Sequence, residues 1–112
     1  MGIAHSIDLT ADQHKMILAL FDQYLPNTTV WAFGSRVKWT STSKSDLDLV
    51  VFANEEQCYQ VASLREQLEE SDLPFRVDLL VWDELPQEFK KEIKTNALLI
   101  SGSRQRYSKS VE

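Results

Sequence analysis

Apolar residues recur at helical spacing over positions 10–25, where Met16, Ile17, Leu20, Phe21 and Tyr24 share one face and Pro26 closes the run. Thr10 and Gln13, three apart, have the form of a capping box at its start. The pattern then changes. Positions 28–33 (TTVWAF) are branched and aromatic and end at Gly34, which predicts a strand running into a tight turn. Positions 36–45 are polar and predict a loop or a short irregular helix. A second strand is expected over 46–52 (DLDLVVF). Helical spacing returns over 55–71, with Val61, Leu64 and Leu68 on one face. Pro74 introduces a third strand over 76–82. Asp83 is placed to cap a last helix, with Pro86 in its first turn and Phe89, Ile93 and Ala97 as its apolar positions. From Ser101 onward serine, arginine and lysine show no periodicity, so 101–112 is expected to be a flexible tail.

Helix, strand, strand, helix, strand, helix is the order of a small α/β (α+β) domain with helices packed on a mixed sheet. A chain of 112 residues suffices for one core and not for two, so a single domain over 1–100 is expected. With 43% hydrophobic and 26% charged residues the composition is that of a soluble globular protein. No apolar run approaches the roughly 20 residues that span a bilayer. The first ten residues lack the basic start and apolar stretch of a signal peptide, which makes the cytoplasm the expected compartment. Cys58 has no second cysteine to pair with and is expected as a small packing residue of its helix. His5 and His14 are too isolated to suggest zinc. A net charge of -5 argues against direct nucleic-acid binding, whose phosphate contacts need a basic excess. The same charge is compatible with a small anionic substrate held through a metal ion.

The informative residues are polar ones inside apolar strands. Asp46 and Asp48, two apart, leave the same face of a strand, and Val50 and Phe52 point the same way. Two carboxylates at the head of a buried strand repel each other, and each unpaired charge costs roughly several kcal/mol, so a cation is needed. Asp78 is set in the same way in Val77-Asp78-Leu79-Leu80. If its strand lies beside that of Asp48, three hard oxygen donors converge, a set suited to magnesium. Two ions about 4 Å apart could then act on one phosphoryl group. Gly34-Ser35-Arg36 is the expected phosphate side, where glycine admits close backbone approach, serine and free amides donate, and Arg36 adds charge. Alone, a Gly-Ser pair or an Asp-x-Asp pair is commonplace, and an arginine after a turn is often merely solvated. Ser45 is read as ending the loop, Lys38 and Lys44 as surface charges, and Trp31, Phe33 and Trp82 as packing residues.

Taken together, Gly34-Ser35-Arg36 and, nine positions after Arg36, Ser45-Asp46-Leu47-Asp48-Leu49 resemble the signature of the polymerase-beta-like nucleotidyltransferases. Asp78 matches that superfamily's third metal ligand. The chain is most similar to the minimal, one-domain bacterial branch, over the span from its first helix to about Trp82. The resemblance implies a small mixed sheet with helices packed mainly on one side. It implies Asp46, Asp48 and Asp78 as catalytic and metal-binding residues for Mg2+, with Asp78 as general base. ATP would be the substrate, met by Gly34, Ser35 and Arg36. It also implies a partner, since many such proteins pair with an all-helical HEPN-domain toxin and, as antitoxins, attach AMP to its tyrosine. A non-catalytic subunit that neutralises a helical partner by contact is the alternative, and a homo- or hetero-oligomer is compatible with either. The chain departs from the family in carrying Lys38-Trp39 where a glycine is common. Trp39 either narrows the nucleotide site or offers a stacking surface.

Overall fold

A computed structural model describes residues 7–101. The first helix, α1 (Ala11–Tyr24), starts at the expected capping box. The Thr10 side chain accepts from the Gln13 amide at 3.1 Å, and the Gln13 side chain accepts from the Thr10 amide at 3.0 Å. The strand β1 (Val30–Phe33) follows and runs through Gly34 into the short helix α2 (Ser35–Lys38). Next come β2 (Leu47–Val51), a 3-10 turn (Glu55–Gln57) that opens α3 (Cys58–Glu70), and β3 (Val77–Val81). After a second 3-10 turn (Trp82–Glu84) the chain forms α4 (Gln87–Asn96) and β4 (Leu98–Ser101).

The sheet is mixed, in the order β3-β2-β1-β4, with β2 parallel to β3 and β1 antiparallel to both β2 and β4. Strand alternation sorts the side chains into two layers. Val30, Ala32, Leu47, Leu49, Val51 and Leu79 pack under α1 and α3, against Ile17, Phe21, Val61, Leu64 and Leu68. Trp31 and Val50 face the other way and meet Ile93 of α4. Two of the three long helices therefore cover one face, in keeping with the expected architecture. Trp31 sits edge-on to Phe52 and Trp82, with ring centroids at 4.6 and 5.3 Å, so these aromatics are packing residues as expected.

Three expectations need correction. Asp83 does not cap the last helix; it lies in a 3-10 turn, and Pro86 occupies the N-cap of α4 without a side-chain hydrogen bond. Cys58 is exposed at the start of α3 instead of packed in the core. Ala97 ends α4, and the apolar run after it forms a fourth strand that the sequence pattern did not reveal. That strand runs one residue past the expected domain end at 100, while the expected tail over 102–112 lies outside the described residues. No helix among the described residues is long and apolar enough to cross a membrane.

Candidate active site

Asp48 is the second residue of β2, and the parallel register places it opposite Asp78 on β3. On its other side the antiparallel register pairs it with Phe33, the last residue of β1. The turn at Gly34 therefore starts beside the Asp48 carboxylate. Gly34 has φ 86°, a left-handed conformation that favours glycine, and a methyl group added there would overlap Oδ2 of Asp48 and lie 3.2 Å from its Cγ. Backbone and carboxylate are thus in close approach, which leaves no room for a side chain at this position. Asp46 is exposed on the approach to β2, one residue before the strand begins.

Burial raises the Asp48 carboxyl to about 6, with the negative charges of Asp78 and then Asp46 adding to the effect. At Asp48, therefore, burial acts first and the charges of its two acidic neighbours act in the same direction. Such a set of hard donors fits a divalent cation chemically. Among the described residues, however, no group of three or more His, Cys, Asp or Glu side chains is arranged to hold a metal ion. Asp48 and Asp78 form the adjacent pair. Arg76 approaches Asp78 at 3.8 Å, a solvent-exposed contact of little energetic weight.

Ser35 opens α2 and is half-buried. Val37 and Lys38 both direct their amides to the Gly34 carbonyl at 3.1 Å, so the amides of Ser35 and Arg36 precede the first intrahelical bond. The Arg36 side chain does not share that outlook. It is buried, and its guanidinium donates to the carbonyls of Asp8 (2.7 Å), Thr42 (3.2 Å), Ser43 (3.1 Å) and Ser45 (3.0 Å). Its Cζ stands 4.0 Å over the Phe75 ring. Expected on a phosphate, the side chain instead laces the loop before Asp46 to the segment before α1. The reason is geometric, because a planar fork can satisfy several carbonyls that the irregular loop leaves unpaired.

That latch is the structural feature beside the site that the sequence reading missed. Asp8 closes it from the other side, donating its amide to the Arg36 carbonyl at 2.9 Å and accepting from the Ser41 hydroxyl at 2.6 Å. No local signal marks Asp8, since its partners lie about thirty positions away. Ser45 ends the loop as expected, accepting the Thr42 amide at 2.9 Å. Trp39 caps α2 at φ 60°, the left-handed conformation that a glycine adopts without strain, and it is 56% exposed.

Comparison with known proteins identifies the family and the fold. The probable protein adenylyltransferase MntA of Haemophilus influenzae is 38% identical over 89 residues, covering 79% of this chain and 78% of that protein. A crystal structure of a toxin–antitoxin with AMP-PNP superposes with a TM-score of 0.66 at 21% identity, covering 83% of this chain and 76% of that one. A tri-AMPylated Shewanella oneidensis HEPN toxin in complex with its MNT antitoxin matches with a TM-score of 0.56 at 18% identity, covering 85% and 74%. At these identities the two structures speak for the fold alone. The family model for polymerase beta nucleotidyltransferases matches residues 15–105, a span that holds the Gly34 turn and all three aspartates, and the chain belongs to that family.

Proposed function

We propose that the protein is a magnesium-dependent protein adenylyltransferase. It moves AMP from ATP to a tyrosine hydroxyl of a HEPN-domain partner, as the antitoxin of a cytoplasmic toxin–antitoxin pair. The observation that carries this reading is the Asp48–Asp78 pair beside the Gly34 turn. The partner is suggested by the MntA relative and by the HEPN–MNT complex of the same fold.

Asp46, Asp48 and Asp78 would hold the magnesium ions, with Asp46 turning in from its exposed position. Bound there, magnesium would offset negative charge on the triphosphate and on departing pyrophosphate. The chain's own groups do the rest. Gly34 admits the phosphates to the backbone, and the Ser35 hydroxyl with the Ser35 and Arg36 amides donates to their oxygens. Arg36 contributes through its amide and through the loop that its side chain holds. Asp78 takes the proton of the acceptor hydroxyl, whose oxygen bonds to the α-phosphorus as the bond to pyrophosphate breaks. The fit of a cation also explains why a half-buried carboxylate is tolerated between two others.

The test is transfer of label from α-labelled ATP with magnesium, using the protein and its candidate partner beside the Asp46→Asn and Asp48→Asn variants. Label on the partner's tyrosine that vanishes in both variants supports the reading. A stable complex that never acquires label would favour a contact-only antitoxin, a reading motivated by the small domain and by Trp39, which is 56% exposed.

A further inference from the structure

Of the three aspartates only Asp46 lies outside a strand, yet its backbone is held on both flanks. Before it, the Ser45 carbonyl accepts from Nε and Nη2 of Arg36 at 3.1 and 3.0 Å, and the Ser45 amide donates to the Thr42 carbonyl at 3.1 Å. After it, the Leu47 amide donates to the Arg76 carbonyl at 2.8 Å. Asp46 can therefore join the Asp48–Asp78 pair by turning its side chain alone, as long as the loop before it stays in place. What keeps that loop in place starts at Asp8. Its amide donates to the Arg36 carbonyl at 2.9 Å, and its carbonyl accepts from Nη1 of Arg36 at 2.7 Å. Its carboxylate reaches the other end of the loop, where Oδ2 accepts from the Ser41 hydroxyl at 2.6 Å. Asp8 thus holds the segment 41–45 at both ends, at Ser41 directly and at Ser45 through Arg36.

We propose that Asp8 and Ser41 are positioning residues that set Asp46 for the metal ion. The inference rests on the nucleotidyltransferase reading above and adds what prepares its outermost carboxylate. A ligand whose backbone is ordered before the cation arrives loses less conformational freedom on binding, and the affinity rises accordingly. Neither residue touches metal or nucleotide; both act through the loop that ends at Asp46. The two kinds of contact at Asp8 can also be separated. Its bonds to Arg36 are made by the backbone, so truncating the side chain leaves the buried guanidinium with its partners. The loss then falls on the Ser41 contact, and so on the freedom of the segment before Asp46.

The experiment measures binding of magnesium–ATP, and of ATP with the metal removed by chelator, to the full chain by calorimetry. Asp8→Ala and Ser41→Ala, each losing one charge-assisted hydrogen bond, should both bind magnesium–ATP roughly tenfold more weakly, with metal-free ATP binding unchanged. Asp8→Asn keeps an acceptor oxygen for the Ser41 hydroxyl and should bind within about twofold of wild type, which also guards against a folding defect in the alanine variants. In an Asp46→Asn background, Asp8→Ala should cost nothing further. Magnesium–ATP affinity that survives either alanine substitution overturns the inference and leaves the nucleotidyltransferase reading standing. Equal weakening of metal-free ATP, or a further loss in the Asp46→Asn background, overturns it in the same way. A wild type whose ATP binding is not tightened by magnesium overturns both.

Discussion

Asp48 and Asp78 stand opposite one another in the parallel register of β2 and β3, and the Gly34 turn presses on the first of them. A strand pairing that brings two carboxylates side by side works against the stability of the fold unless a cation joins them. Several measurable consequences follow from that conflict and from the latch that holds the neighbouring loop.

Asp48→Asn should stabilise the ligand-free protein at neutral pH while abolishing transfer. The folded protein binds the Asp48 proton more tightly than the unfolded chain, with the carboxyl raised from 3.8 to about 6. Stability contributed by this group is therefore present below about pH 4 and lost as pH rises through about 6. The gain in the variant should appear across that window and level off above it. Partial exposure screens the effect to about 1 kcal/mol. Thermal melts of both proteins from pH 4 to 8 check this, and an Asn variant melting below wild type at pH 7.5 would refute it.

Magnesium–ATP should bind less tightly as pH falls below about 6, because a protonated Asp48 cannot act as a ligand. Calorimetry across pH 5 to 8 should show this weakening with proton release on binding. A flat affinity profile would remove Asp48 from the set of ligands.

Gly34→Ala should damage both stability and activity. Placing a side chain at φ 86° strains the backbone by about 1–2 kcal/mol. The added methyl must also displace the Asp48 carboxylate, and misplacement of about 1 Å can reduce a rate by roughly a hundredfold. Denaturant melts and the label-transfer assay read the two effects separately.

Arg36→Met should destabilise strongly, by about 3 kcal/mol, because it leaves the carbonyls of Asp8, Thr42, Ser43 and Ser45 without their buried donor. Limited proteolysis should then cut within 39–45 before any other described segment. Arg36→Lys should rescue little, since an ammonium cannot reproduce the planar fork. Full stability with a weakened affinity for tripolyphosphate would instead return the side chain to the phosphate.

Cys58 should react with a thiol reagent in the native protein at the rate of an exposed cysteine, without denaturant. A thiol that becomes reactive only on unfolding would contradict its place at the start of α3.

The sequence by itself determined the elements whose signals are local. Thr10 and Gln13 announced the start of α1 because a capping box is closed within three residues. Asp48 and Asp78 stood out because each interrupts an apolar strand, and their pairing needed only that the two strands be neighbours. Tertiary structure alone decided the rest. The run Leu98–Ser101 is a strand because the edge of β1 is open to it, a fact that no periodicity within four residues can carry. Asp83 fails to cap α4 because the chain first completes a 3-10 turn that carries Trp82 against Trp31. Arg36 turns inward because one carbonyl nearly thirty residues before it and three lying six to nine residues after it converge on its guanidinium. Hydrogen-bond partners brought together by folding, not by spacing along the chain, settle whether a charged side chain serves a ligand or the fold.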